Sequence, residues 1–137
     1  MIDSDIIANR LERLKGYVKF LRTIQKNGKK KICKNPVSYA AMERFLQLSV
    51  ECVLDVGNHI IAGMNLRKPS TYGQILQILA EERVITKKVL NSAKPLASVR
   101  NLLVHDYEEL NRETIFDTAR EVTPAFEELA RAYRKFL

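Results

Sequence analysis

The chain has 137 residues, room for one domain with a sizeable core and too few for two ordinary ones. Only five glycines and four prolines interrupt abundant Leu, Ala, Glu, Lys and Arg, which favours helices over a sheet, and no apolar run reaches the roughly 18 residues a membrane span needs. A formal charge of +7 turns attention to polyanionic partners, nucleic acid above all, with a merely solvated basic surface as the alternative.

The N-terminus opens Asp3-Ser4-Asp5, without the basic and apolar regions of a signal peptide, so a cytoplasmic address is expected. Ile7, Leu11, Leu14, Val18 and Leu21 then alternate at fours and threes, one face of a long amphipathic helix capped by Asp3 or Ser4 and running to about Gln25. From Lys26 to Pro36, Asn27-Gly28 and the cluster Lys29, Lys30, Lys31 and Lys34 predict a basic loop. That loop is either a phosphate-binding arm or a solvated lysine run.

A second long helix is expected from about Ser38 to Ala62, with Met42, Phe45, Ser49, Cys52, Val53, Val56 and Ile60 facing the core. Cys33 and Cys52 form no C-x-x-C pair and have no histidine at ligand spacing, so Cys52 reads as a small core residue and no metal or other cofactor is expected. Asp55, Asn58 and His59 share one polar-leaning side of this helix. With only two histidines in the chain they read as buried polar contacts to a neighbouring helix or a dimer partner rather than a zinc site.

Gly63 to Ser70 forms the next turn, where Pro69 cannot extend a helix. Thr71 followed by Gln74 is a capping box opening a short helix through Ile75, Leu76, Leu79 and Ala80. Another helical stretch covers about Thr86 to Asn91, and Pro95 starts a further one. Asn111 caps a last helix with Ile115, Ala119, Val122, Phe126, Leu129 and Tyr133 inward, bent or loosened at Pro124. With no repeat and no alternating strand pattern, the expected architecture is all-α, an up-and-down helical bundle forming a single domain over residues 1–137.

The most informative stretch is Arg100-Asn101-Leu102-Leu103-Val104-His105-Asp106-Tyr107. Arg100 can hold a phosphate with a planar fork of donors, and His105 can move a proton near neutrality. Together they are the minimum equipment for cutting RNA without a metal. An ideal helix turns about 100° per residue, which puts Tyr107 on the side of Arg100 and His105 about 140° away, while Asn101 and His105 lie together. Either the helix loosens near Asp106, or Arg100 and His105 line a cleft completed by another subunit. The structural alternative makes Arg100 a surface ion-pair partner, His105 a helix C-terminal cap and Tyr107 a cover for the end of the bundle.

The octet resembles the R-x-x-x-x-H-x-Y signature of HepT-like toxins, a branch of the HEPN superfamily. Glu43-Arg44-Phe45 and Leu54-Asp55-Val56-Gly57-Asn58-His59-Ile60-Ile61 are similar to that family's central helix. Pro69-Ser70-Thr71-Tyr72-Gly73 and Leu79-Ala80-Glu81 are similar to the stretch after it. The likeness covers roughly residues 40–110 and implies a HEPN-type helical bundle that forms a homodimer, bringing two motif copies together in a cleft. It further implies a metal-independent endoribonuclease acting as a toxin, with Arg100 and His105 catalytic and Asn101 supporting. The usual partner is a small nucleotidyltransferase antitoxin that adds AMP to the motif tyrosine, here Tyr107. Many relatives carry a basic residue where this chain has Leu102, which bears on its grip on RNA. The alternatives are a non-catalytic module that binds nucleotide or RNA, and a structural partner of the nucleotidyltransferase.

Overall fold

A computed structural model describes residues 2–105 and 111–137, at 104 and 105 the backbone alone. In chain order its helices are α1 (Ser4–Lys26), α2 (Lys29–Lys34), α3 (Pro36–Gly63), α4 (Tyr72–Glu81), α5 (Lys87–Ala93), α6 (Leu96–His105) and α7 (Arg112–Tyr133), followed by a 3-10 turn, Arg134–Phe136. Every regular element among the described residues is helical, as composition and periodicity predict.

The three long helices make the body of the bundle. Asp3 caps α1 by accepting from the backbone N–H groups of Asp5 and Ile6, and Ile7, Leu11, Leu14, Val18 and Leu21 are all buried. Asn111 caps α7 in the same way, through Glu113 and Thr114, and the six inward residues expected of α7 are buried. Pro124 sits on the exposed side of α7. Next to it, the buried Thr123 hydroxyl donates to the Ala119 carbonyl at 2.6 Å and accepts from Gln25 Nε2 at 2.9 Å, tying α7 to α1.

Helix α3 is the shared wall, in contact with α1, α2, α4, α6 and α7. It therefore buries more than one stripe, adding Tyr39, Leu46, Val50, Leu54, Gly57 and Ile61 to the expected face. Phe45 departs from that expectation. It is only half-buried and stacks on the exposed Phe20 of α1 with ring centres 4.8 Å apart. The sequence shows no obvious spanning run, yet α3 is long and apolar enough by length and composition to cross a membrane. Half of that apolar window is buried inside the bundle, where it serves as core.

Gly57 lets three helices meet. A Cβ there would come within 2.8 Å of the Tyr133 hydroxyl and 2.9 Å of Ile75. The fully buried Tyr133 instead donates to the Val53 carbonyl at 2.8 Å.

Lys26 to Pro36 is not the loop the lysine density suggests. Gly28, at φ 89°, turns the chain into α2, and Ile32 anchors that helix in the core. Asn35 then caps α3 with Pro36 at its first turn, so α3 begins before Ser38.

Candidate nucleic-acid site

Thr71 caps α4 by accepting from the Gln74 N–H at 3.2 Å. The Gln74 side chain reaches back to the Ser70 N–H, one residue short of the usual reciprocal partner. Ser70 and Thr71 thereby bend the chain into α4, with the half-buried Tyr72 as its first residue.

Helix α6 enters through Pro95, whose carbonyl accepts from the Val99 N–H at 2.9 Å. Leu96, Val99 and Leu103 go into the core. That phase leaves Arg100 on the flank, half-buried, and turns Asn101 to solvent. The Arg100 guanidinium carbon lies 4.5 Å from the centre of the Tyr72 ring, a cation–π contact. Its Nε is buried and has no hydrogen-bond partner among the described residues.

Beside this pair opens a cleft of about 630 Å³, lined by Asn58, Ser70, Thr71, Tyr72, Ser98 and Asn101 among others. Two carboxamides and the hydroxyls of Ser70, Thr71 and Ser98 at its walls can donate and accept hydrogen bonds without fixing a charge. Arg100 supplies the positive charge alongside. This arrangement suits a single-stranded polyanion whose bases are splayed from the backbone.

The polar triplet of α3 diverges. Asp55 is exposed and pairs with Arg10 of α1 at 3.4 Å. Desolvation raises its carboxyl pKa, opposed by Arg10, reinforced by Glu51 and opposed again by Arg100, which places the motif arginine within electrostatic reach. His59 Nε2 accepts the Asp3 N–H at 3.0 Å, so it is spent on the start of α1. Asn58 faces the cleft. Asp55 and Asn58 are thus exposed rather than buried, and the three residues have three separate jobs.

Of the four lysines in the expected basic arm, Lys29 is engaged with Asp117 at 3.1 Å. Lys30, Lys31 and Lys34 ride on α2, a short helix. Cys52 is buried, its thiol 3.3 Å from the Arg10 carbonyl and pushed up to about 11 chiefly by burial, while Cys33 is half-buried. His105 closes α6, its side chain outside the described residues, and Tyr107 lies outside them altogether. The sequence gives no hint of Tyr72 as the neighbour of Arg100, because that contact joins two helices and has no local period.

A family model described as Ribonuclease HepT-like matches residues 7–133. The chain belongs to the ribonuclease HepT-like family. YutE of Bacillus subtilis is 31% identical over 97 residues, covering 71% of this chain and 67% of YutE. The mRNA nuclease HepT of Shewanella oneidensis is 26% identical over 125 residues, 91% of this chain and 93% of that protein. Among solved structures, YutE, described as a cytosolic protein of unknown function, superposes with a TM-score of 0.86 at 25% identity, covering 99% of this chain and 91% of that one. A tri-AMPylated Shewanella oneidensis HEPN toxin in complex with an MNT antitoxin gives a TM-score of 0.85 at 24% identity, covering 96% and 98% of the two chains. At that identity the likeness concerns the fold, and the fold it shares is the HEPN helical bundle.

Proposed function

We propose that this ribonuclease-family chain is the toxin of a toxin–antitoxin pair, a metal-independent endoribonuclease that works in the cytoplasm as a homodimer. The observation that carries the reading is the placement of Arg100. Its guanidinium is held against Tyr72 with a buried donor that no described residue satisfies, beside a cleft walled by Asn58 and Asn101. None of the ion pairs among the described residues involves Arg100, which leaves its charge available to a phosphate there.

In the proposed reaction the scissile phosphate sits on Arg100, which stabilises the charge gathering on the phosphorane. His105 takes the proton from the ribose 2′-hydroxyl or delivers one to the leaving 5′-oxygen. The 2′-oxygen–phosphorus bond forms as the 5′-oxygen–phosphorus bond breaks, leaving a 2′,3′-cyclic phosphate and a 5′-hydroxyl. Asn101, one turn from His105, orients the phosphate or a base. Because the motif residues are spread around α6, a second copy supplies the facing wall.

The Shewanella relative is seen AMPylated and with an MNT antitoxin. By that analogy a small nucleotidyltransferase silences this chain by adding AMP to Tyr107. The added phosphate would pair with Arg100 and occupy the place of the RNA phosphate. Lys30, Lys31 and Lys34 assist as a weaker RNA contact.

The test is incubation of the purified protein with total tRNA and with mRNA, each with and without EDTA. Cleavage that survives EDTA supports the reading, and RNA that is bound but left intact points to a binding module. Tyr107→Phe leaves an active nuclease that the nucleotidyltransferase can no longer silence by modification. Full silencing of that variant would return inhibition to simple complex formation.

A further inference from the structure

Away from the α6 cleft, α1 and α7 enclose a groove of about 620 Å³ whose rim is almost entirely cationic. Lys15, Lys19, Arg22 and Lys26 follow each other at fours and threes down one edge, and Arg131 and Arg134 face them from the other side. Among the described residues the only carboxylate lining it is Glu127, already paired with Arg22. The other five cations make no ion pair with any described residue. At about 1.5 Å of rise per residue, the lysine edge is roughly 16 Å long.

We propose that this groove is a second RNA-binding site, an exosite that holds the phosphate backbone of a long RNA remote from the cut. It rests on the ribonuclease reading for the identity of the polyanion. The charge is ordered as a ladder, so successive phosphates can be neutralised along one line. An acidic amphipathic helix is the competing occupant, and the floor argues against it. Leu14 and Phe126 are 1% and 0% exposed, and Leu11, Val18 and Ala130 are at most 8%. Those residues are already buried in the bundle, so the apolar surface left in the groove belongs mainly to the stems of its basic side chains and offers no pocket for helix anchors. What the groove offers is charge.

The test uses the full chain and a long, labelled 2′-O-methyl oligoribonucleotide, which cannot be cut because its 2′-hydroxyls are blocked. Binding is followed by fluorescence anisotropy across a salt series. In the combined variant Lys15→Gln, Lys19→Gln, Lys26→Gln, Arg131→Gln, the slope of log Kd against log salt falls by about 3, at roughly 0.7 for each single-strand phosphate that is no longer neutralised. Arg22 is left alone because it holds Glu127. Circular dichroism checks that the four exposed changes leave the helices intact. An unchanged slope in the folded variant overturns the exosite, even if the protein cuts RNA normally. So does an unchanged slope accompanied by weaker binding of the nucleotidyltransferase, which would make the groove a protein-docking face. Conversely, a lowered slope in a protein that binds RNA without ever cutting it sinks the nuclease reading and leaves the groove standing.

Discussion

The guanidinium carbon of Arg100 lies over the ring of Tyr72, 4.5 Å from its centre, across the junction of α6 and α4. The contact sets the plane of the one side chain best suited to receive a phosphate. A cation–π contact of this kind contributes about 1–2 kcal/mol when partly shielded from water. If it orients Arg100, Tyr72→Leu lowers kcat about tenfold while KM for RNA moves little, and Tyr72→Phe, which keeps the ring, restores most of the rate. A loss in KM alone, or equal losses in the Leu and Phe variants, would assign Tyr72 to RNA contact through its hydroxyl.

Gly57 and Tyr133 give a stability prediction independent of function. With a Cβ at 57 placed 2.8 Å from the Tyr133 hydroxyl, Gly57→Ala forces α3, α4 and α7 apart and destabilises the fold by about 1–3 kcal/mol in urea unfolding. Tyr133→Phe removes only the hydrogen bond to the Val53 carbonyl and costs about 1 kcal/mol. Making both changes relieves the closest clash, so the double variant is more stable than the sum of its parts predicts. Strict additivity would mean that Ile75, not Tyr133, is the obstacle.

The cysteines differ in reactivity. Cys33 is half-buried and Cys52 buried, with its thiol held at about 11, so iodoacetamide at neutral pH labels Cys33 first. Raising the folded pKa of a thiol above its ordinary 9.0 makes the folded state lose stability as pH climbs from about 9 to about 11, because the unfolded chain ionises first. Cys52→Ala therefore flattens that part of the stability–pH curve. An equally steep alkaline decline in the variant would place its origin elsewhere.

Much of this fold is written in local pattern. The fours and threes of α1, the Thr71 cap and the Asn111 cap all appear where the sequence puts them. What was hidden has a physical reason in each case. The lysines around Ile32 mask a single apolar anchor, and one buried residue is enough to dock a six-residue helix such as α2. Pro36 reads as a breaker but serves as the first turn of α3 behind the Asn35 cap. The triplet Asp55, Asn58 and His59 shares a side of α3, yet its partners come from α1 and the cleft, which no spacing reveals. Arg100 was legible as a chemical group, whereas its stacking on Tyr72 and the basic ladder of α1 opposite α7 exist only once distant helices pack.

The homodimer is tested by light scattering at micromolar concentration. A mass of about twice 15.8 kDa is expected, and disruption of the dimer removes nuclease activity while preserving the helical spectrum. A fully active monomer would show that one chain completes its own site.

The most direct test of the central claim is the chemistry at the cut ends, measured in EDTA for the native chain and for His105→Ala. The native chain is expected to leave 2′,3′-cyclic phosphate and 5′-hydroxyl termini without any divalent ion. His105→Ala, with unchanged circular dichroism, should lose that cleavage by at least about a hundredfold, the scale on which a positioned acid or base acts. Undiminished cleavage by His105→Ala, or cleavage by the native chain that stops in EDTA, would contradict the account.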